Sequence, residues 1–180
     1  FVVRRIEELG GEACLPPLEE WLDYIDWERK RDYLIDREFG RLLKEHLKTY
    51  VQERDLRRIT GIFEGTINDF LYEEPTEHIV DKAAPYIDCS IRGEAVLSMG
   101  RAVEYAEKGF HGIMNLTPFN CLPGNIVNAL LNKFSQKYPH VPVLKMSYDG
   151  LQQASEETRL EAFMYQARQL ALAESGVTAS

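Results

Sequence analysis

The sequence is poor in cysteine, with only Cys14, Cys89 and Cys121 among its 180 residues. An odd number of widely spaced cysteines does not match the disulfide framework of a small secreted domain, so we expect reduced thiols in a cytoplasmic protein. Long apolar runs are also missing. No segment reaches the ~18 consecutive apolar residues that a membrane-spanning helix needs. The N-terminal residues lack the basic and apolar regions of a signal peptide.

An excess of positive charge is absent as well. The chain has 21 Lys and Arg against 29 Asp and Glu, which gives a net charge of −8. This charge repels phosphate backbones and anionic lipid surfaces, so we expect neither a nucleic acid nor a membrane as partner. Hydrophobic residues make up 44% of the chain. That content supports one ordinary globular core and excludes bulk disorder.

Several well-known catalytic motifs are missing. The sequence contains no GxxxxGK[ST], GxGxxG, HExxH, CxxC or GxSxG pattern. We therefore do not expect self-contained nucleotide or zinc chemistry. The four histidines lie far from one another and from the cysteines, so surface or packing roles are expected for them. They are His46, His78, His111 and His140.

The N-terminal part of the chain contains two segments with different secondary-structure patterns. Residues 1–17 begin with apolar positions at helical spacing and end in the short apolar run Ala13-Cys14-Leu15 before two prolines, which predicts a helix-strand unit. Residues 18–74 show only helical periodicity and many charges, which predicts a helical segment. Because the chain opens on Phe1 inside an amphipathic pattern, we expect it to be part of a longer polypeptide.

Residues 75–174 alternate between helical patterns and short apolar runs, and a small polar tail follows at 175–180. The runs at 112–116 and 143–149 are strand candidates with a helical pattern between them. Strands joined by a helix predict a parallel sheet flanked by helices, the α/β class. Ligands bind such sheets at the carboxyl ends of the strands. The loops at 117–124 and 149–155 are therefore the candidate site region.

Cys121 is the best candidate for chemistry in these loops. It follows a predicted strand and comes directly before a predicted helix, in the segment Phe-Asn-Cys-Leu-Pro-Gly. Free N–H groups at a helix N-terminus stabilise a thiolate, which is a soft metal ligand or a nucleophile. A small buried side chain in a strand-to-helix turn is the alternative role for this residue.

Four segments carry a resemblance to a known family. HGIMNLTPFNCLPGNIVNALL (111–131), PVLKMSYDG (142–150) and TRLEAF (158–163) occur in that order, and IEELGGEACLPPLEEWLDY (6–24) precedes them. Together they resemble the C-terminal part of the 2-hydroxyacyl-CoA dehydratase family. The similarity is greatest to the branch described as CoA-substrate-specific enzyme activases.

The resemblance implies flavodoxin-like or Rossmann-like domains and an oxygen-sensitive [4Fe–4S] cluster. The implied enzyme is an anaerobic dehydratase, which is a lyase. An ATP-dependent activator supplies this enzyme with one electron. In this sequence, Cys121 matches the cysteine of the family's Phe-x-Cys loop and inherits the role of cluster ligand. Asp149 and Arg159 also match family positions. For both residues the resemblance leaves two roles open, a structural one and contact with substrate. The implied partners are the rest of the parent polypeptide or a dehydratase subunit, and acyl-CoA.

One matching cysteine is too few for a cubane cluster, which takes three or four thiolates. We therefore expect the other ligands outside this chain, and we expect the chain alone to be catalytically silent. Two alternatives remain open: a docking or structural module that holds no metal, and a thiol-dependent hydrolase or acyltransferase. The last needs a base near the sulfur, and His111, at the other end of the predicted strand, is the nearest histidine in sequence.

Overall fold

A computed structural model of the protein describes residues 1–63, 74–148 and 154–176. Within these ranges the chain is mostly helical, with two short parallel strands. The elements are α1 (Val2–Glu8), α2 (Glu19–Ile35), α3 (Phe39–Phe63), α4 (Thr76–Ala83), α5 (Glu94–Glu107), β1 (Ile113–Pro118), α6 (Leu122–Lys137), β2 (Val143–Tyr148) and α7 (Ala154–Glu174), with a 3-10 turn at Cys89–Ile91. The chain forms two compact units, which are Pro17–Ile79 and the combination of Phe1–Pro16 with Val80–Ser180.

The Pro17–Ile79 unit is built around an antiparallel pair of helices, α2 and α3. Two ion pairs tie the helices together: the Lys48 ammonium lies 2.7 Å from Asp26 Oδ1, and the Arg29 guanidinium lies 3.8 Å from Glu45. Asp26 is buried, and its hydrogen bond raises the pKa of Lys48. No strand is present among residues 18–63, in agreement with the helical periodicity of the sequence.

The second unit contains a β-α-β arrangement. Strands β1 and β2 pair in parallel, with Ile113 opposite Val143 and Thr117 opposite Ser147. Helix α6 connects them, as parallel strands require. The mixed α/β class predicted from the strand and helix signals is therefore present in this unit.

Helices cover both faces of the small sheet. On one face, buried residues of β2 and α7 form a core that α1 and β1 complete with partly buried side chains; its buried members are Leu144, Met146, Leu160 and Phe163. On the other face, α6 packs against β1, β2 and α5 through Val127, Leu131 and Phe134. The sheet is thus the middle of three layers.

The strand predicted at Ala13-Cys14-Leu15 is absent, so this prediction was wrong. Helix α1 ends at Glu8, and residues 11–17 have neither helical nor strand structure. A strand exists only through hydrogen bonds to a neighbour. Pro16 and Pro17 lack the N–H groups that such a ladder needs, which shortens the segment that could pair.

Membrane insertion by a helix has no support in the described ranges. None of the helices in residues 1–63, 74–148 and 154–176 is both long enough and apolar enough to cross a bilayer.

Candidate functional site

The loop after β1 is held by backbone hydrogen bonds at the carboxyl end of the sheet. The N–H of Phe119 donates to the carbonyl of Tyr148 at 2.7 Å, which extends the parallel ladder one residue beyond the strands. A tight turn follows, closed by the N–H of Cys121 donating to the carbonyl of Pro118 at 3.1 Å. Asn120 occupies this turn with φ of +58°, a left-handed conformation that asparagine tolerates better than most residues.

Cys121 is the N-cap residue of α6. Its φ of −67° and ψ of 116° are extended, and its carbonyl accepts the first helical hydrogen bond from the N–H of Asn125 at 2.9 Å. Both backbone polar groups of Cys121 are therefore fixed. Its side chain is half-buried and makes no capping hydrogen bond. Because Pro123 has no N–H, Gly124 carries the amide that an N-cap side chain usually reaches.

Close contact between α6 and β1 positions this N-terminus. An ideal Cβ built on Gly124 would lie 2.3 Å from Thr117 Cγ2 and 2.6 Å from Thr117 Cβ, closer than real atoms approach. Glycine is therefore required at position 124. Thr117 is itself buried, and its hydroxyl lies 3.2 Å from that of Ser147 on β2. The first turn of α6, and Cys121 with it, is thus held against the sheet.

A polar network continues beneath this contact, between the sheet and α6. The Asn115 amide donates to the Gly124 carbonyl at 3.3 Å and to the Asn128 side chain at 3.0 Å. The Lys145 ammonium donates to the carbonyl of Asn128 and to the Asn132 side chain, each at 2.7 Å. Desolvation lowers the pKa of Lys145. The network satisfies polar groups that the layered packing covers, and so has a structural explanation.

Two apolar residues close to Cys121 in sequence are exposed. Phe119 is 64% exposed and Leu122 is 71% exposed. Glu156, in the first turn of α7, is buried by contrast. Burial, followed by the charge of Glu156, raises the pKa of Tyr148 at the end of β2. Exposed apolar side chains beside a half-buried thiol suit contact with another surface.

Arg159 has a definite structural position, whereas Asp149 lies outside the described residues together with the rest of the loop at 149–153. An Arg159 Nη donates a hydrogen bond to the carbonyl of Lys145. The backbone N–H of Ile113 donates to the carbonyl of Pro142, and that of Phe119 donates to the carbonyl of Tyr148. The backbone carbonyls of the even-numbered residues along β2 therefore point towards β1. The Lys145 carbonyl therefore points away from β1, and Arg159 covers the outer edge of β2.

We expect an Arg159→Ala variant to lose about 1 kcal/mol of unfolding free energy, because the edge carbonyl of Lys145 loses a charged donor. Urea unfolding measures this change. Arg168→Ala is the matched control, since Arg168 is an exposed arginine on the same helix. Equal stabilities of the two variants would contradict the edge-capping role of Arg159.

The other two cysteines lie in different settings. The Cys14 thiol donates to the Tyr105 hydroxyl at 3.8 Å, and burial raises the pKa of that tyrosine, with Cys14 adding to the effect. Cys89 begins the 3-10 turn. Residues 1–63, 74–148 and 154–176 contain no group of three or more His, Cys, Asp or Glu placed to hold a metal ion. The described residues therefore supply one loop thiol and not a complete cluster site.

Among residues 1–63, 74–148 and 154–176, His111 is not placed as a base for a thiol-dependent hydrolase. His111 Nε2 lies 3.3 Å from Glu174 Oε2, at the opposite end of β1 from Cys121. A six-residue strand separates the two ends by roughly 16–20 Å, at about 3.3 Å per residue.

The polar network was not anticipated from the sequence. A signal for it exists, because polar Asn115 and Thr117 alternate with apolar residues along β1, as Lys145 and Ser147 do along β2. Period-two alternation places these residues on one face of the sheet. Their pairing with α6 depends on residues far away in sequence.

Comparison with known proteins adds no further information on identity. No family model, no curated protein and no solved structure matches the chain. The resemblance to the dehydratase family therefore stays a prediction based on the four sequence segments.

Proposed function

We propose that this chain is a flavodoxin-like α/β module of a cytoplasmic CoA-substrate-specific activase or 2-hydroxyacyl-CoA dehydratase-like protein. In this proposal Cys121 is one thiolate ligand of an oxygen-sensitive [4Fe–4S] cluster. The cluster serves the ATP-dependent, one-electron activation or dehydration of an acyl-CoA. The remaining ligands come from elsewhere in the parent polypeptide or from a dehydratase subunit.

The placement of Cys121 is the observation that carries the proposal. The residue lies at the carboxyl end of a parallel strand and at the N-terminus of a 16-residue helix, with its backbone fixed on both sides. Its thiol makes no capping hydrogen bond to the helix. Iron binds a cysteine as its thiolate. The exposed apolar side chains of Phe119 and Leu122 support an interface at the same position.

A complete cluster does not fit the described residues, because a cubane takes three or four thiolates and the loop supplies one. No reaction step is therefore assigned to this chain. The role that fits is a ligand at a junction, where a second segment brings the missing thiolates. The same apolar surface also favours a second function, a docking module that binds its partner without metal.

Anaerobic iron and sulfide reconstitution of the full parent polypeptide tests the proposal. We expect about four iron and four sulfide per wild-type protein, the content of one cubane. The Cys121→Ser variant is expected to lose the cluster absorbance, because serine removes the sulfur and keeps the local shape. Cys89→Ser is the matched control, since Cys89 is also a half-buried cysteine in the same unit, and it is expected to keep the cluster.

Two results would overturn the assignment. Full iron and sulfide content in Cys121→Ser would show that this thiol is not a ligand. A wild-type parent that takes up no cluster would leave the docking module as the function of the chain.

A further inference from the structure

The outer edge of β1 carries backbone groups that have no partner among the described residues. The N–H groups of Ile113 and Phe119 donate to carbonyls on the β2 side, so the odd-numbered residues of β1 point towards β2. The N–H and carbonyl groups of Met114 and Leu116 therefore point away from β2. No hydrogen bond reaches these outward groups in the part of the chain that the structure describes. We call them the β1 edge.

The β1 edge lacks the features by which proteins protect an exposed strand. The opposite edge of the sheet is covered, because Arg159 donates to the outward carbonyl of Lys145 on β2. Met114 and Leu116 are apolar and carry no charge. Pro118, which has no N–H to offer, stands at the very end of the strand. An apolar edge with open backbone groups is a template for pairing with another strand.

The packing around β1 is that of a strand inside a sheet. On one face Ile113 and Thr117 are buried, and α5 packs against both β1 and α6. On the other face Met114 packs against the core that β2 and α7 form, while Leu116 is 42% exposed. Strands with helices on both faces are typical of parallel sheets, in which most strands have two neighbours. Within the described residues β1 has one neighbour, which is β2.

We propose that the β1 edge pairs with a further β-strand, supplied by the part of the parent polypeptide that lies outside this chain. The source of the strand rests on the proposed function, in which this chain is one module of a longer protein. Met114 and Leu116 offer the strand two N–H donors and two carbonyl acceptors at the spacing of a regular ladder. Strand addition to an open sheet edge is a common way to join two polypeptide segments.

The surroundings of the β1 edge also predict the composition of the added strand. Leu116 lies beside the edge on one face of the sheet, and α5, whose residues are buried on most sides, lies towards β1 on the other. A strand placed there has apolar surroundings on both faces. We therefore expect a near-continuous apolar segment rather than an alternating one.

Hydrogen exchange resolved to single amides tests the proposal. In the 180-residue chain, the Leu116 amide is expected to exchange much faster than the Thr117 amide, which faces β2. In the full parent polypeptide, the Leu116 amide is expected to exchange at least about 100-fold more slowly than in the chain, because the added strand accepts its hydrogen bond. The Thr117 amide is the internal control and is expected to be slow in both proteins.

Two results of this experiment would overturn the proposal. A Leu116 amide that is already slow in the 180-residue chain would show that the chain covers this edge itself. A Leu116 amide that stays fast in the parent would show that no strand pairs there. Iron and sulfide content of the same parent preparation keeps this test separate from the proposed function. Slow exchange without a cluster would support the added strand and count against the cluster.

A proline substitution tests the predicted hydrogen bond directly. Leu116→Pro removes an outward N–H and leaves the hydrogen bonds between β1 and β2 in place. We expect it to lower the melting temperature by about 3 °C more in the parent than in the 180-residue chain. Phe119→Pro is the matched control, because the Phe119 N–H donates to the carbonyl of Tyr148 and is lost in both proteins. Equal effects of Leu116→Pro in the two proteins would contradict the added strand.

Discussion

A Gly124→Ala variant is expected to lose about 3 kcal/mol of unfolding free energy, at the upper end of the usual cost of overpacking. The added Cβ would lie 2.3 Å from Thr117 Cγ2 and 2.6 Å from Thr117 Cβ. Both atoms are close to the backbone of β1, and Thr117 is 6% exposed, so a side-chain rotation gives little relief. The helix must therefore move away from the strand, and the contact between α6 and β1 is weakened.

Urea unfolding measures this loss, and Gly61→Ala is its control. Gly61 is also a helical glycine, but a Cβ there would meet nothing within 4 Å. Alanine at position 61 is expected to be neutral or to stabilise by up to about 1 kcal/mol, because it raises helix propensity.

A double variant locates the origin of the Gly124→Ala effect. Thr117→Ala removes the closer of the two atoms, so combined with Gly124→Ala it is expected to recover about 1 kcal/mol beyond additivity. Strict additivity of the two substitutions would contradict the steric explanation.

Phe134→Ala is expected to cost about 3–5 kcal/mol, the range for removing a fully buried aromatic side chain. Phe134 lies on the inner side of α6 with no exposed surface, and its ring centroid is 4.8 Å from that of Tyr138. Alanine leaves a cavity between α6 and the layers that it contacts, the two strands and α5. Neighbouring backbone in regular helices and strands cannot collapse fully into such a cavity.

Thermal and urea unfolding of Phe134→Ala give the size of this effect. Leu122→Ala serves as the control, because Leu122 lies on the same helix and is 71% exposed. Its stability is expected to change by about 0.5 kcal/mol or less, as for most surface substitutions. Similar losses in the two variants would contradict the assignment of Phe134 to the core.

Local patterns predicted most of the helices and strands. The apolar runs at 112–116 and 143–149 correspond to β1 and β2, and the helical pattern between them corresponds to α6. These predictions were confirmed because helical and strand periodicities are properties of consecutive residues. The run at 13–15 had a similar local signal and forms no strand, because pairing needs a partner that local sequence does not reveal.

The candidate site, too, was predicted only in part from the sequence. The sequence placed Cys121 in a loop between a strand and a helix, and the structure makes it the N-cap of α6. The contact of Gly124 with Thr117 and the hydrogen bond from Arg159 to Lys145 were not predictable in this way. Each depends on how a helix lies against a strand, and periodicity does not determine that distance or angle.

By itself, the sequence determined the acidic character of the protein, the two strands with the helix between them, and the loop that holds Cys121. Only the tertiary structure decided that β1 pairs with β2, that Arg159 covers the outer edge of β2, and that Gly124 lies against Thr117. The physical reason is the range of the interactions. Backbone propensity and periodicity act over a few residues, whereas packing joins side chains that lie tens of residues apart in the chain.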